Sequence, residues 1–178
     1  MQDKIVITGG PGTGKSTVIE ELARRQYTCM PEISRAVTLE AQKAGTKQLF
    51  LTDPLLFSKR LLEGRVNQYF EAEKSQETLV FFDRGIPDIH AYMNYLGVEY
   101  PDTYLKNSKA FRYDHVFVMP PWEKIYTSDN ERYENFEQAL AIHNHLERSY
   151  QELGYTITEV PIGTADKRTD FILETVQS

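Results

Sequence analysis

GGPGTGKST, residues 9–17, follows the apolar run KIVIT at residues 4–8 and precedes a stretch of helical character. Gly9, Gly14, Lys15 and Ser16 fit the spacing G-x-x-x-x-G-K-[ST], and a strand before with a helix after is the setting in which that spacing has a mechanism. Consecutive backbone N–H groups must converge on one phosphate. Residues lacking a Cβ take the backbone angles this needs and leave the anion room. Gly10, Gly12, Thr13 and Gly14 make that wrap, and the start of the next helix adds its dipole. Lys15 reaches the β- and γ-phosphates, the Ser16 hydroxyl is a ligand for Mg²⁺, and Thr17 is a further donor to the α-phosphate. The expected ligand is a nucleoside triphosphate with Mg²⁺. ATP is the first expectation; GTP is not excluded, because adenine is often read by backbone groups.

Working outward, short β-branched or aromatic runs alternate with longer helical patterns. The runs are residues 4–8, 27–30, 79–83, 115–119 and 155–160. Their nearly continuous apolarity predicts strands covered on both faces, as in parallel sheets with crossover helices. Between them Leu55, Leu62, Val66, Tyr69 and Phe70 recur at helical spacing, as do Phe136, Leu140, His143, Leu146, Tyr150 and Leu153. A last helix is predicted from about Asp166, with Ile172, Leu173 and Val176 on one side. This alternation implies an open α/β sheet with right-handed crossovers, in which ligands gather at the carboxyl ends of the strands.

The 178 residues suit one domain spanning the chain. A net charge of -6 argues against a nucleic-acid or anionic-membrane surface, since phosphate backbones are held by clustered Lys and Arg. With Cys29 the only cysteine no intrachain disulfide forms, and with no membrane span or signal peptide visible a cytoplasmic location is expected.

LVFFDRGIPD, residues 79–88, narrows the chemistry. An apolar strand ending in Asp83 has the form of the second carboxylate of a phosphate-loop site, placed to hold Mg²⁺ directly or through water. Its neighbour is Arg84, which cannot act as a base toward water. The chain also contains neither D-x-x-G nor N-K-x-D, which disfavours a regulatory GTPase.

GGPGTGKST, the acidic residue in MPEISR and the DRG after the third run together resemble the nucleoside and nucleotide kinase branch of P-loop proteins. The likeness is nearest to nicotinamide ribonucleoside kinase domains and the small AAA-domain ATPase-like proteins grouped with them. It implies a three-layer α/β/α P-loop fold with a five-stranded parallel sheet in the order 2-3-1-4-5. It also implies that Glu32, Arg35, Arg84 and Asp88 face an acceptor substrate. Glu32 then stands across the cleft from Lys15, where a carboxylate can take the proton of an attacking hydroxyl. Glu32 and Arg35 are also spaced to pair with each other or to cap a helix, and Arg84 to form an ion pair with Asp83, Asp88 or Glu32.

Kinases of this branch close a polar lid after the fourth strand, and residues 120–135 occupy that place. Lys124 and Arg132 are its only cations. Arg132 reads as the clamp on the transferring phosphoryl group or as an exposed helix-surface residue. Trp122 reads as packing or as a surface for a base. VPIGTADKR, residues 160–168, resembles the loop that covers adenine, with Thr164 or Asp166 able to cap the last helix. His143 falls on an apolar stripe and reads as a satisfied core residue; no histidine has a metal-ligand neighbour by spacing.

Two readings stand. One is a Mg²⁺- and ATP-dependent phosphotransferase with a small, nucleoside-like acceptor, in which Lys15, Glu32, Asp83, Arg84 and Arg132 are catalytic. The other is a nucleotide-binding regulator or slow NTPase acting on a protein partner.

Overall fold

The computed structural model describes residues 2–125 and 135–177. Five strands form one parallel sheet in the order β2-β3-β1-β4-β5: β1 (Asp3–Gly9), β2 (Thr28–Met30), β3 (Leu79–Asp83), β4 (His115–Met119) and β5 (Ile157–Glu159). The strand order implied by the resemblance is the one observed. Helices follow as α1 (Lys15–Arg24), α2 (Ile33–Lys43), α3 (Leu49–Thr52), α4 (Pro54–Lys74), α5 (Pro87–Leu96), α6 (Thr103–Ala110), α7 (Phe136–Glu152) and α8 (Ala165–Gln177).

Side chains alternate across the sheet and divide the core in two. Ile5, Ile7, Phe81 and Phe117 point to one face, where Val18 and Leu22 of α1 and Ile172 of α8 cover them. Val6, Val80, Phe82 and Val116 point to the other, under Tyr69 and Ala72 of α4 and Tyr150 of α7. Each side chain so enclosed contributes about 1.5–3 kcal/mol through lost apolar surface. A third cluster has no strand in it. Val37, Leu49, Leu61, Ile89 and Tyr104 pack α2, α3, α4, α5 and α6 together beyond the strand ends, and this helical layer walls the functional cleft.

The α4 stripe differs from its sequence reading. Leu55 and Phe70 are 42% and 44% exposed, whereas Ser58, Leu61, Arg65, Gln68, Tyr69 and Ala72 are buried. The helix turns a partly polar face inward because that face meets the cleft and the turns beside it. Arg65 donates to the Gly85 carbonyl at 2.6 Å and Gln68 to the Pro31 carbonyl at 2.7 Å. Apolar periodicity assigns polar residues outward by construction, so it rotates the helix wrongly here.

Thr164 opens α8 as expected. Its carbonyl accepts from the Arg168 N–H at 3.0 Å and its hydroxyl from the Lys167 N–H at 3.4 Å. Asp166 instead pairs with Arg25, the residue that caps the end of α1. No helix among the described residues is long and apolar enough to cross a membrane.

Candidate active site

The carboxyl ends of β1, β2 and β3 open into a cavity of about 630 Å³. Residues 10–17 line one end of it; α2, α4 and α5 line the other, with Arg35, Phe57 and Tyr92. Gly14 is the N-cap of α1 at φ 79°, with no side-chain cap hydrogen bond. A side chain is strained at that angle, and a Cβ would stand 3.0 Å from the Arg168 guanidinium and 3.3 Å from Ile125. The first-turn N–H groups of α1 therefore face the cavity without a side-chain acceptor, which suits an anion. Thr13 and Thr17 brace the loop internally, donating to the Gly10 carbonyl at 3.0 Å and the Gly14 carbonyl at 2.7 Å.

Parallel register sets Asp83 beside Ile7 at the end of β3. Lys15 Nζ lies 2.5 Å from Asp83 Oδ1, and each residue is 6% exposed. Two opposite charges buried together satisfy each other; either one alone would be costly. Ser16 is exposed in the first turn of α1, in the same cavity. Its hydroxyl and the Asp83 carboxylate are hard oxygen donors of the kind Mg²⁺ takes.

Arg84 has φ 72°, a backbone conformation few side chains adopt. Such strain persists only where the surroundings hold it. Arg84 N–H donates to the Ile7 carbonyl at 3.1 Å, and its guanidinium reaches Asp88 Oδ1 at 3.2 Å and Glu32 Oε1 at 3.4 Å. Gly85 is fixed by contact, since a Cβ there would meet the Tyr150 hydroxyl at 2.5 Å. The strained turn aims the Arg84 side chain across the cavity floor, where it also lies 5.4 Å from the Tyr92 ring.

Glu32 occupies the N-cap position of α2 but makes no cap hydrogen bond, and no Glu32–Arg35 ion pair is found among the described residues. Its carboxylate instead accepts from the Ser34 hydroxyl at 2.6 Å. Burial alone would raise the Glu32 carboxyl; Arg84, Lys15, the Ser34 hydroxyl and Arg65 outweigh it and hold it at about 2. Arg35 is exposed on α2 at the cavity wall.

Asp88 is set differently from its neighbours. It is 1% exposed, and both oxygens are taken: Oδ1 by the Thr8 hydroxyl at 2.6 Å and by Arg84, Oδ2 by Gly85 N–H at 2.9 Å and the Tyr150 hydroxyl at 2.6 Å. Burial disfavours its charge, yet Arg65, Arg84, Thr8 and Tyr150 bring its pKa below the ordinary value. Asp88 thus lines the cavity beside Arg84, with its oxygens engaged by the scaffold.

The structure therefore brings Lys15, Ser16, Glu32, Arg84 and Asp88 together at one cavity, with Arg35 at its rim and Asp83 behind Lys15. Arg132 falls outside the described residues. Arg65, Ser34 and Arg168 escaped the sequence reading. For Arg65 a signal existed, since it lies four residues from both Leu61 and Tyr69 and so is a cation on a buried face. His143 is buried at 8% exposure but is not satisfied: Nδ1 has no hydrogen-bond partner, and Nε2 lies 3.6 Å from Glu147. Folding also brings Glu159 to this pair, with ligand atoms within 4.8 Å of one another, a cluster that spacing along the chain does not reveal.

The sequence profile of an AAA-domain family matches residues 4–168. The chain belongs to this family. No curated protein sequence matches it. Among solved structures, this AAA domain is similar to a deoxyadenosine kinase from M. mycoides with products dCMP and a flexible dCDP bound. That pair has TM-score 0.69 and 18% identity, covering 98% of both chains. A NadR protein in complex with NR gives TM-score 0.70 at 20% identity, covering 99% of this chain and 50% of that one. Thymidylate kinase from Candida albicans gives 0.68 at 16% identity, covering 99% and 91%. At such identities the likeness establishes the fold, that of the P-loop nucleoside and nucleotide kinases.

Proposed function

We propose that this AAA domain is a Mg²⁺-dependent kinase that moves the γ-phosphoryl group of ATP to a hydroxyl of a small, nucleoside-like acceptor. The observation that carries the reading is the pairing inside one cavity of an anion-ready loop with the Glu32 carboxylate. Glu32 and Arg84 share the cavity with Lys15, and beyond them lies a wall with aromatic side chains, Phe57 and Tyr92 among them. A hydrolase needs only water opposite the phosphate, whereas here the cavity, about 630 Å³ in all, extends past the loop to a wall from α2, α4 and α5.

In this reading residues 10–17 hold the triphosphate through backbone N–H groups, and Lys15 leaves Asp83 for the β- and γ-phosphate oxygens. The freed Asp83 carboxylate and the Ser16 hydroxyl would hold Mg²⁺, which when bound would supply charge neutralisation for the polyphosphate. Glu32 is ionised at every working pH, accepts a hydrogen bond from the acceptor hydroxyl and receives its proton as the new P–O bond forms. Arg84 orients the acceptor and Arg35 closes the rim; Asp88 acts through Arg84. Arg132, from the lid, contacts the transferring group.

Replacing Glu32 by Gln tests the assignment. ADP release that depends on the acceptor should fall by at least about a hundredfold, the usual scale of a positioned base, while the Kd for Mg-ATP holds within about threefold. ADP release at one rate with and without every nucleoside and nucleoside monophosphate offered would refute a kinase.

The second reading, a nucleotide-dependent regulator, draws on one specific feature. Lys15 and Asp83 satisfy each other across the cleft, so triphosphate binding must rearrange the loop, which is the requirement for a switch.

A further inference from the structure

Arg168, in the first turn of α8, is 2% exposed although it carries a permanent charge. Its stem passes Gly163, where a Cβ would stand 3.9 Å from Arg168 Cγ. Its tip reaches the phosphate loop from behind. Arg168 Nη1 donates to the Thr13 carbonyl at 2.8 Å and would stand 3.0 Å from a Cβ on Gly14. Ile125, at the root of the 120–135 segment, approaches that same point to 3.3 Å. Three segments around the nucleotide end of the cavity thus converge on Gly14.

Packing does not account for this side chain. Nε and Nη2 are buried without a hydrogen-bond partner, and no carboxylate pairs with Arg168 among the described residues. Burial is the one influence on its pKa, which it lowers. A buried cation with no counter-ion is expensive, and a hydrophobic residue of similar volume would pack here at less cost.

The peptide between Thr13 and Gly14 explains what the charge does there. No peptide bond among the described residues is cis, so the carbonyl and N–H of this unit point in opposite directions. Arg168 holds the Thr13 carbonyl on its own side of the loop. The Gly14 N–H is thereby turned the other way. With glycine at position 14 little steric resistance opposes a flip of this peptide, which would aim a carbonyl at the phosphate.

We propose that Arg168 is a positioning residue for the phosphate loop: it locks the Thr13–Gly14 peptide with its N–H turned inward, and its charge finds its counter-ion in the polyphosphate bound in front. This rests on reading the loop as a triphosphate site and holds whether or not the phosphoryl group is transferred. The ligand chemistry it serves is the polyphosphate chain, not the base.

Calorimetric titration of R168M and R168K with Mg-ATP, Mg-tripolyphosphate and adenosine tests it. R168M should lose about tenfold or more for ATP and for tripolyphosphate by the same factor, the scale of a charge-assisted hydrogen bond, with adenosine unchanged. R168K, which keeps the charge and a donor, should recover to within about threefold of wild type. R168Q replaces R168M should the latter not fold, and should lose at least about threefold for both phosphates. Wild-type affinity for tripolyphosphate in R168M or R168Q, or an equal loss for adenosine, would overturn the proposal. Wild-type protein that binds no polyphosphate would overturn the underlying site instead.

Discussion

Replacing Tyr150 by Phe removes one oxygen atom and tests how the active-site turn is held. Tyr150 is fully buried and its hydroxyl donates to Asp88 Oδ2 at 2.6 Å. Phe fills the same space, so no cavity opens and the loss is the hydrogen bond itself. Bonds to an ionised acceptor are worth about 1.5–3 kcal/mol. For a chain of this length that lowers Tm by roughly 3–12 °C. The sign with pH follows from Asp88. Its folded pKa lies below the ordinary 3.8, so its charge stabilises the fold above that value and ceases to do so as pH falls through the folded pKa. Removing the Tyr150 donor raises the folded pKa. The deficit of the variant is therefore greatest at neutral pH and narrows below about pH 4. Urea denaturation of both proteins at pH 7 and across the acid range reads this directly. A variant within about 0.5 kcal/mol of wild type at pH 7, or a deficit that grows on acidification, would refute the coupling.

Lys15→Ala leaves Asp83 buried and unpaired, so the ligand-free protein should lose about 3–5 kcal/mol in urea denaturation, and Lys15→Ala with Asp83→Asn should regain most of it. Gly14→Ala forces a side chain to φ 79°; it should cost about 1–2 kcal/mol in thermal denaturation and weaken Mg-ATP in calorimetry by about tenfold. Because the Glu32 carboxyl sits at about 2, acceptor-dependent turnover should show no acidic fall due to it down to about pH 4, and an essential base titrating near pH 6 in the free enzyme would exclude Glu32.

What was legible in the sequence is what local chemistry determines. The glycine spacing fixes the wrap around the phosphate, and the apolar runs at residues 79–83 and 115–119 coincide with β3 and β4 because strands covered on both faces are apolar except at an end. Lys15, Asp83 and Glu32 could be read because each lies at a strand end or loop with a chemical reason to be there. The partners of Arg65 and Arg168 could not. Both arginines are cations on inward helix faces whose partners are backbone carbonyls, 20 and 155 residues away, and a carbonyl leaves no trace in residue type. The same limit applies to the partners of Asp88. Its motif put it near the acceptor, while its four donors come from β1, the turn after β3 and α7.

The fate of the γ-phosphoryl group tests the central claim most directly. Protein incubated with Mg²⁺, [γ-³²P]ATP and a nucleoside panel should place the label on an organic product, one ADP appearing for each phosphoryl group transferred. Label recovered entirely as inorganic phosphate, at a rate no acceptor changes, would contradict it.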